Sequence, residues 1–137
     1  MNNFGLNDTF DIKKKISIWE REIKKNIKQR IYQYTTPDSP IFFGSNKQKS
    51  LLTLVLIYNR KRHENRWYYY NKDGIFRISI QETKIKHIRP RNKFFTYYFE
   101  NGNLIYYTSE NSKYKPSELL LIANSYTKLA IPYLQSQ

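Results

Sequence analysis

Residues 66–81 read RWYYYNKDGIFRISIQ, and residues 94–109 read FFTYYFENGNLIYYTS. In each, a run of aromatic and β-branched residues is cut by a short turn signal, Asp73-Gly74 or Asn101-Gly102, and then resumes. Such dipeptides tolerate the positive φ that a tight antiparallel connection demands, so both stretches predict hairpins. With Asp73-Gly74 as the two turn residues, Tyr69 faces Ile78 and Trp67 faces Ile80, with Phe76 on the same side. That side reads as core, and Tyr68 and Tyr70 then share the opposite face with Arg77 and Ser79. In the second hairpin, Phe99 pairs with Leu104, Tyr97 with Tyr106 and Tyr98 with Ile105.

Working outward, Leu51 to Tyr58 is apolar on both faces and reads as a central strand. Ile41 to Phe43 is a short strand, and Lys84 to Arg89 a weaker one ended by Pro90. Upstream, Ile12, Ile16, Trp19, Ile23, Ile27, Ile31 and Tyr34 recur at spacings of three and four, which predicts a helix over 8–34. Asp8 and Asp11 suit its positive end, and Pro37 and Pro40 lie beyond its stop. Downstream, Pro116 suits the first position of a helix running to Ile131, with Leu119, Ile122, Tyr126, Leu129 and Tyr133 as its stripe. The expected fold is α+β: an N-terminal helix, an antiparallel β-meander of about five to six strands and a C-terminal helix, with both helices packed on one face of a curved sheet. All 137 residues fit a single domain. The expected core includes Trp19, Leu54, Leu56, Trp67, Ile78, Ile80, Phe99 and Ile122.

Composition narrows the chemistry. The absence of cysteine removes disulfides, thiolate nucleophiles and thiolate zinc sites. The first ten residues lack a basic start followed by an apolar run, so export is not expected, and the Asn7-Asp8-Thr9 triplet reads as a chance glycosylation match. The longest apolar run, Leu51 to Ile57, is far shorter than the roughly 20 residues of a membrane-spanning helix. A soluble protein of the cytoplasm or of an organelle stroma or matrix is expected. The basic polar face of the first helix, with Trp19 on its apolar side, would also suit a membrane surface, but so regular a stripe more often packs on a sheet.

Twenty-four Lys and Arg against eleven Asp and Glu make the formal net charge +13. That field favours anionic partners, nucleic acid or an acidic protein. Richness in Lys, Asn, Ile and Tyr with few Gly and Pro is also what AT-rich codons produce, so part of the charge is attributable to a solvated surface shaped by codon usage. The charge is nevertheless concentrated. Between Arg60 and Lys93 stand eleven cations (Arg60, Lys61, Arg62, Arg66, Lys72, Arg77, Lys84, Lys86, Arg89, Arg91, Lys93) and three acids (Glu64, Asp73, Glu82). Such density suits phosphate binding, although lysines also guard exposed strand edges.

Catalytic patterns are sparse. His63 and His87 lie in basic stretches without an acid cluster, and the glycines are too scattered for a phosphate-cradling loop. Pro37-Asp38 with Glu82-Thr83-Lys84 resembles the loose PD…ExK signature of metal-dependent nucleases. The Asp, however, sits in a proline-rich loop, with two other strands filling the gap. No ribonucleoprotein sheet motif and no GXXG loop is present.

These features point to a non-catalytic basic module, without cofactor or metal, for an anionic partner, foremost RNA or single-stranded DNA. Arg60, Lys61, Arg62, Arg66, Lys84, Lys86, Arg89, Arg91 and Lys93 are the candidate phosphate-binding residues, and Tyr68, Tyr70 and Arg77 the candidate stacking face. Two alternatives are a protein-interaction or assembly factor of organelle, phage or plasmid origin, and a sheet domain that encloses a small ligand or chromophore.

Overall fold

The structure, a computed structural model, describes residues 6–26, 31–34, 41–86, 89–108 and 113–134, with only the backbone for 6–9, 26, 31–34, 85–86 and 89–90. Helix α1 spans Leu6–Asn26. Seven strands follow: β1 (Ile31–Tyr34), β2 (Ile41–Ser45), β3 (Leu52–Asn59), β4 (Glu64–Asn71), β5 (Gly74–Lys86), β6 (Arg89–Glu100) and β7 (Asn103–Tyr107). Helix α2 (Pro116–Ala130) and a 3-10 turn (Ile131–Tyr133) complete the described chain. The strands form one sheet in sequence order, antiparallel at every step. This is the α+β order expected, helix, meander, helix.

Several expectations are corrected. The helix expected over 8–34 ends at Asn26, and the last part of its apparent stripe, Ile31 to Tyr34, is strand β1 paired with β2. A β-branched residue and two tyrosines suit a pleated edge, and the ladder with β2 outweighs the helical spacing of Ile31 and Tyr34. Ile27 of the same stripe lies outside the described residues. The separate strand expected over Lys84 to Arg89 does not form. Instead β5 runs on to Lys86 and β6 begins at Arg89, making one long hairpin.

The first tight hairpin is also off by one. Asn71 pairs with Gly74, so Lys72-Asp73 are the turn, and Gly74 takes a φ of +111° that only glycine adopts readily. A bulge then sets Tyr69 opposite Arg77, with Phe76 as the extra residue, and Tyr68 faces Ile78. One step of register turns every side chain over. Tyr68 is 0% exposed and Tyr70 is equally part of the core, whereas Trp67 pairs with Ser79 and is half-buried. Of the other expected core residues, Leu54, Ile78, Ile80 and Phe99 are buried, and Trp19, Leu56 and Ile122 are half-buried. In the second hairpin, Asn101 (φ +50°) and Gly102 (φ +79°) form the turn expected, and Phe99 pairs with Leu104. Beyond a bulge the ladder pairs Tyr98 with Tyr106 and Tyr97 with Tyr107.

The helices cover opposite faces of the sheet, not one. On the first face, Phe43, Val55, Tyr68, Ile78 and Tyr97 form a continuous cross-strand row under α2. Leu119, Ala123 and Ala130 seal it, with Tyr126 against Tyr68 and Tyr133 stacked on Phe43. On the other face α1 sets Trp19 against Phe76, buries Ile23, and uses Glu20 to accept from Tyr98 at 2.9 Å and Arg77 at 3.2 Å. Both faces of the central strands carry large apolar groups, and a single layer of helices would leave one of them in water. No helix among the described residues is long and apolar enough to cross a membrane.

Candidate nucleic-acid interface

The β3–β4 connection carries Arg60, Lys61, Arg62 and His63. Backbone geometry holds it: the Asn59 side-chain oxygen accepts from the Arg62 N–H at 3.2 Å, and His63, at φ +52°, donates to the Arg60 carbonyl. The Thr83 N–H donates to the His63 carbonyl at 2.9 Å, tying the loop to β5. Polar main-chain anchors leave Arg60, Lys61 and Arg62 free to project, and all three are exposed. The β5–β6 hairpin continues past this loop. There Lys84 pairs with Arg91, and Lys93 with Glu82, so these residues share the α2 face at the same end of the sheet. Arg60, Lys61, Arg62, Lys84, Arg91 and Lys93 are all exposed, and none forms an ion pair with a described residue. The side chains of Lys86 and Arg89, also candidates, lie outside the described residues, as does His87.

Beneath these cations lies a charge-balanced cluster that sequence reading missed. Glu64 and Glu82 are cross-strand partners, and both are buried. Two carboxylates facing each other repel unless neutralised. Here Arg66 pairs with Glu64, and Lys113 with Glu82 at 2.6 Å. The Tyr114 hydroxyl lies between the acids, 2.7 Å from Glu64 and in a short contact with Glu82. Burial alone would push the Glu82 carboxyl up. Hydrogen bonds from Lys113 and Tyr114 and the charges of Lys113 and Lys84 outweigh burial and hold it below the usual carboxylate range. Burial, and then the bonds to the two acids, push the Tyr114 phenol up. These groups line an open cleft of about 580 Å³ with Arg62, Thr83 and Lys84 at its margin.

Four of the expected site residues are thereby corrected. Arg66 is engaged by Glu64, by the Tyr68 hydroxyl at 3.1 Å and by the Tyr114 ring, so it anchors the cluster rather than facing solvent. Arg77 is held under α1 by Glu20 and lies over the rings of Tyr69 and Tyr98. Tyr68 and Tyr70 are sealed beneath α2 and offer no stacking surface. The register step that buries them brings another set to the opposite face. Tyr58, Asn65, Gln81 and Phe94 form one cross-strand row beside the basic loop. Phe94 is 60% exposed and Tyr58 38%. The residues that meet α1 on this face, Phe76, Arg77, Tyr98 and Glu100, lie towards its other end. The doubled Phe94-Phe95 carried the available signal, because adjacent strand residues point to opposite faces and only one ring could enter the same core.

No group of three or more His, Cys, Asp or Glu positioned to hold a metal occurs among the described residues. No family model, curated protein or solved structure matches the chain.

Proposed function

We propose that this protein is a non-catalytic binding module for an anionic partner, and that the partner is single-stranded nucleic acid, RNA or DNA. The observation that carries this reading is the set of six exposed cations without described ion-pair partners, Arg60, Lys61, Arg62, Lys84, Arg91 and Lys93, gathered at one end of the sheet. Phosphates would meet these cations, while Phe94 and Tyr58, on the opposite face at the same end of the sheet, would stack bases of a strand passing round the basic loop, about 1–3 kcal/mol each. The acids in the region do not cancel this field, because Arg66 and Lys113 already neutralise them. Such a module would work in the cytoplasm or in an organelle stroma or matrix.

The test is binding of a labelled single-stranded oligonucleotide across a salt series. Replacing Arg60, Lys61 and Arg62 together by Gln should leave the fold intact, since the loop is anchored through its main chain. Binding should weaken, and the slope of log affinity against log salt should shrink by roughly 0.7 for each phosphate that is no longer neutralised. Absence of binding to any oligonucleotide at low salt would reject the reading. An acidic protein, held by an assembly factor, is then the second reading. It is favoured by Leu121, Leu129 and Ile131, three exposed apolar residues of α2 and the turn that follows it.

A further inference from the structure

The row Tyr58, Asn65, Gln81, Phe94 places an amide beside each aromatic platform. Tyr58 is the cross-strand partner of Asn65, Asn65 of Gln81, and Gln81 of Phe94. Neighbouring strands lie about 4.8 Å apart, so each amide is within side-chain reach of the rim of a base lying on the ring next to it. Both amides are half-buried, and neither side chain makes a hydrogen bond to a described residue. A half-buried amide with donor and acceptor both open is placed to take up an external group of matching pattern.

We infer that Asn65 and Gln81 make this face selective for adenine, each reading the edge of a base stacked on Tyr58 or Phe94. This rests on the nucleic-acid reading above and goes beyond it by naming the preferred base. One edge of a carboxamide presents an N–H and the carbonyl oxygen side by side in a single plane. Adenine sets a donor beside an acceptor on two edges, N6–H with N1 and N6–H with N7, so the amide matches it in either orientation. Guanine offers two acceptors, N7 and O6, on its Hoogsteen edge and matches the amide only on its Watson–Crick edge, through O6 and N1–H, and the pyrimidines likewise offer one matching edge instead of two. Adenine also presents a purine ring to the platform. The basic loop supplies affinity without regard to sequence, and the two amides supply discrimination.

The experiment compares the affinities of adenine, uracil or thymine, and cytosine homo-oligonucleotides, as ribo and deoxy strands, for the full chain. Oligoadenylate should bind roughly tenfold tighter than the pyrimidine strands, the scale expected of a good bidentate pair. The double variant Asn65→Ala, Gln81→Ala should lose most of this preference, keeping only what the larger purine ring adds to stacking, with the salt slope unchanged. The isosteric pair Asn65→Asp, Gln81→Glu preserves shape and should reduce the ratio of adenine to pyrimidine affinity to the same residual level, whatever the added charge does to binding as a whole. A wild-type protein that binds all strands equally, or a double variant that keeps the full preference, overturns the inference and leaves the nucleic-acid reading intact. Failure of every strand to bind overturns both and points to a protein partner.

Discussion

Tyr70 donates its hydroxyl hydrogen to the main-chain carbonyl of Ala123, 2.6 Å away across 53 positions of the chain. The bond ties β4 to the middle of α2, in a region where Ala123 is fully buried and a small side chain lets the helix approach the sheet. Burial, followed by the neighbouring Tyr68 and Tyr126, pushes the Tyr70 phenol up, so the donor stays protonated throughout the neutral range. Tyr70→Phe should therefore lose one hydrogen bond, about 1 kcal/mol, while Tyr70→Ala should cost about 3–5 kcal/mol by leaving a cavity. Denaturant unfolding measures both. A Tyr70→Ala protein as stable as wild type would contradict the placement of this ring in the core.

The acid limb of stability should depend on Glu82. Its carboxyl is held below the usual range in the folded chain, so the unfolded chain takes up the proton first as pH falls. The stabilisation is present above the ordinary carboxylate value, about 4.3, and is lost as pH drops through the lower folded value. Glu82→Gln removes the titrating group and the ion pair with Lys113. The expected outcome is lower stability at pH 7 and a flatter loss of stability below about pH 4 than in the wild type. Thermal melts across that range would show it.

At the alkaline end the sign reverses. Burial, together with the hydrogen bond to Glu20 and against the charge of Arg77, pushes the Tyr98 phenol up to about 12. The unfolded chain loses this proton near the ordinary tyrosine value of about 10, so stabilisation present below that pH fades as pH climbs towards the folded value. Tyr98→Phe should remove part of this alkaline decline. Ultraviolet titration of the phenols provides an independent check: Tyr98, with Tyr68, Tyr70, Tyr114 and Tyr126, all shifted upward, should ionise late.

Phe94 and Tyr68 should behave as opposites. Phe94 is largely exposed, and Phe94→Ala should change stability by no more than about 0.5 kcal/mol. On the nucleic-acid reading it should weaken binding by about 1–3 kcal/mol with little change in salt slope, because stacking releases few counterions. Tyr68→Ala should instead unfold or strongly destabilise the chain, at about 3–5 kcal/mol. Equal binding by Phe94→Ala and the wild type would remove this ring from the interface.

Local chemistry alone determined much of this protein. Asn101-Gly102 adopts the two positive φ values that a tight hairpin needs, and Pro116 opens α2 at the position its missing N–H allows. The order helix, meander, helix and the concentration of charge between Arg60 and Lys93 follow from residues a few positions apart. Tertiary structure decided which aromatic rings meet solvent. A bulge beside Tyr69, with Lys72-Asp73 taking the turn, shifts β4 against β5 by one residue, burying Tyr68 and Tyr70 and bringing Trp67 to the other face. Either register satisfies the hairpin locally, since the stretch is aromatic on both faces. The choice rests on what lies above the sheet, α2 with Ala123 and Tyr126 on one side and α1 with Trp19 and Glu20 on the other. Those interactions join residues more than fifty positions apart, and no short window of sequence contains both partners.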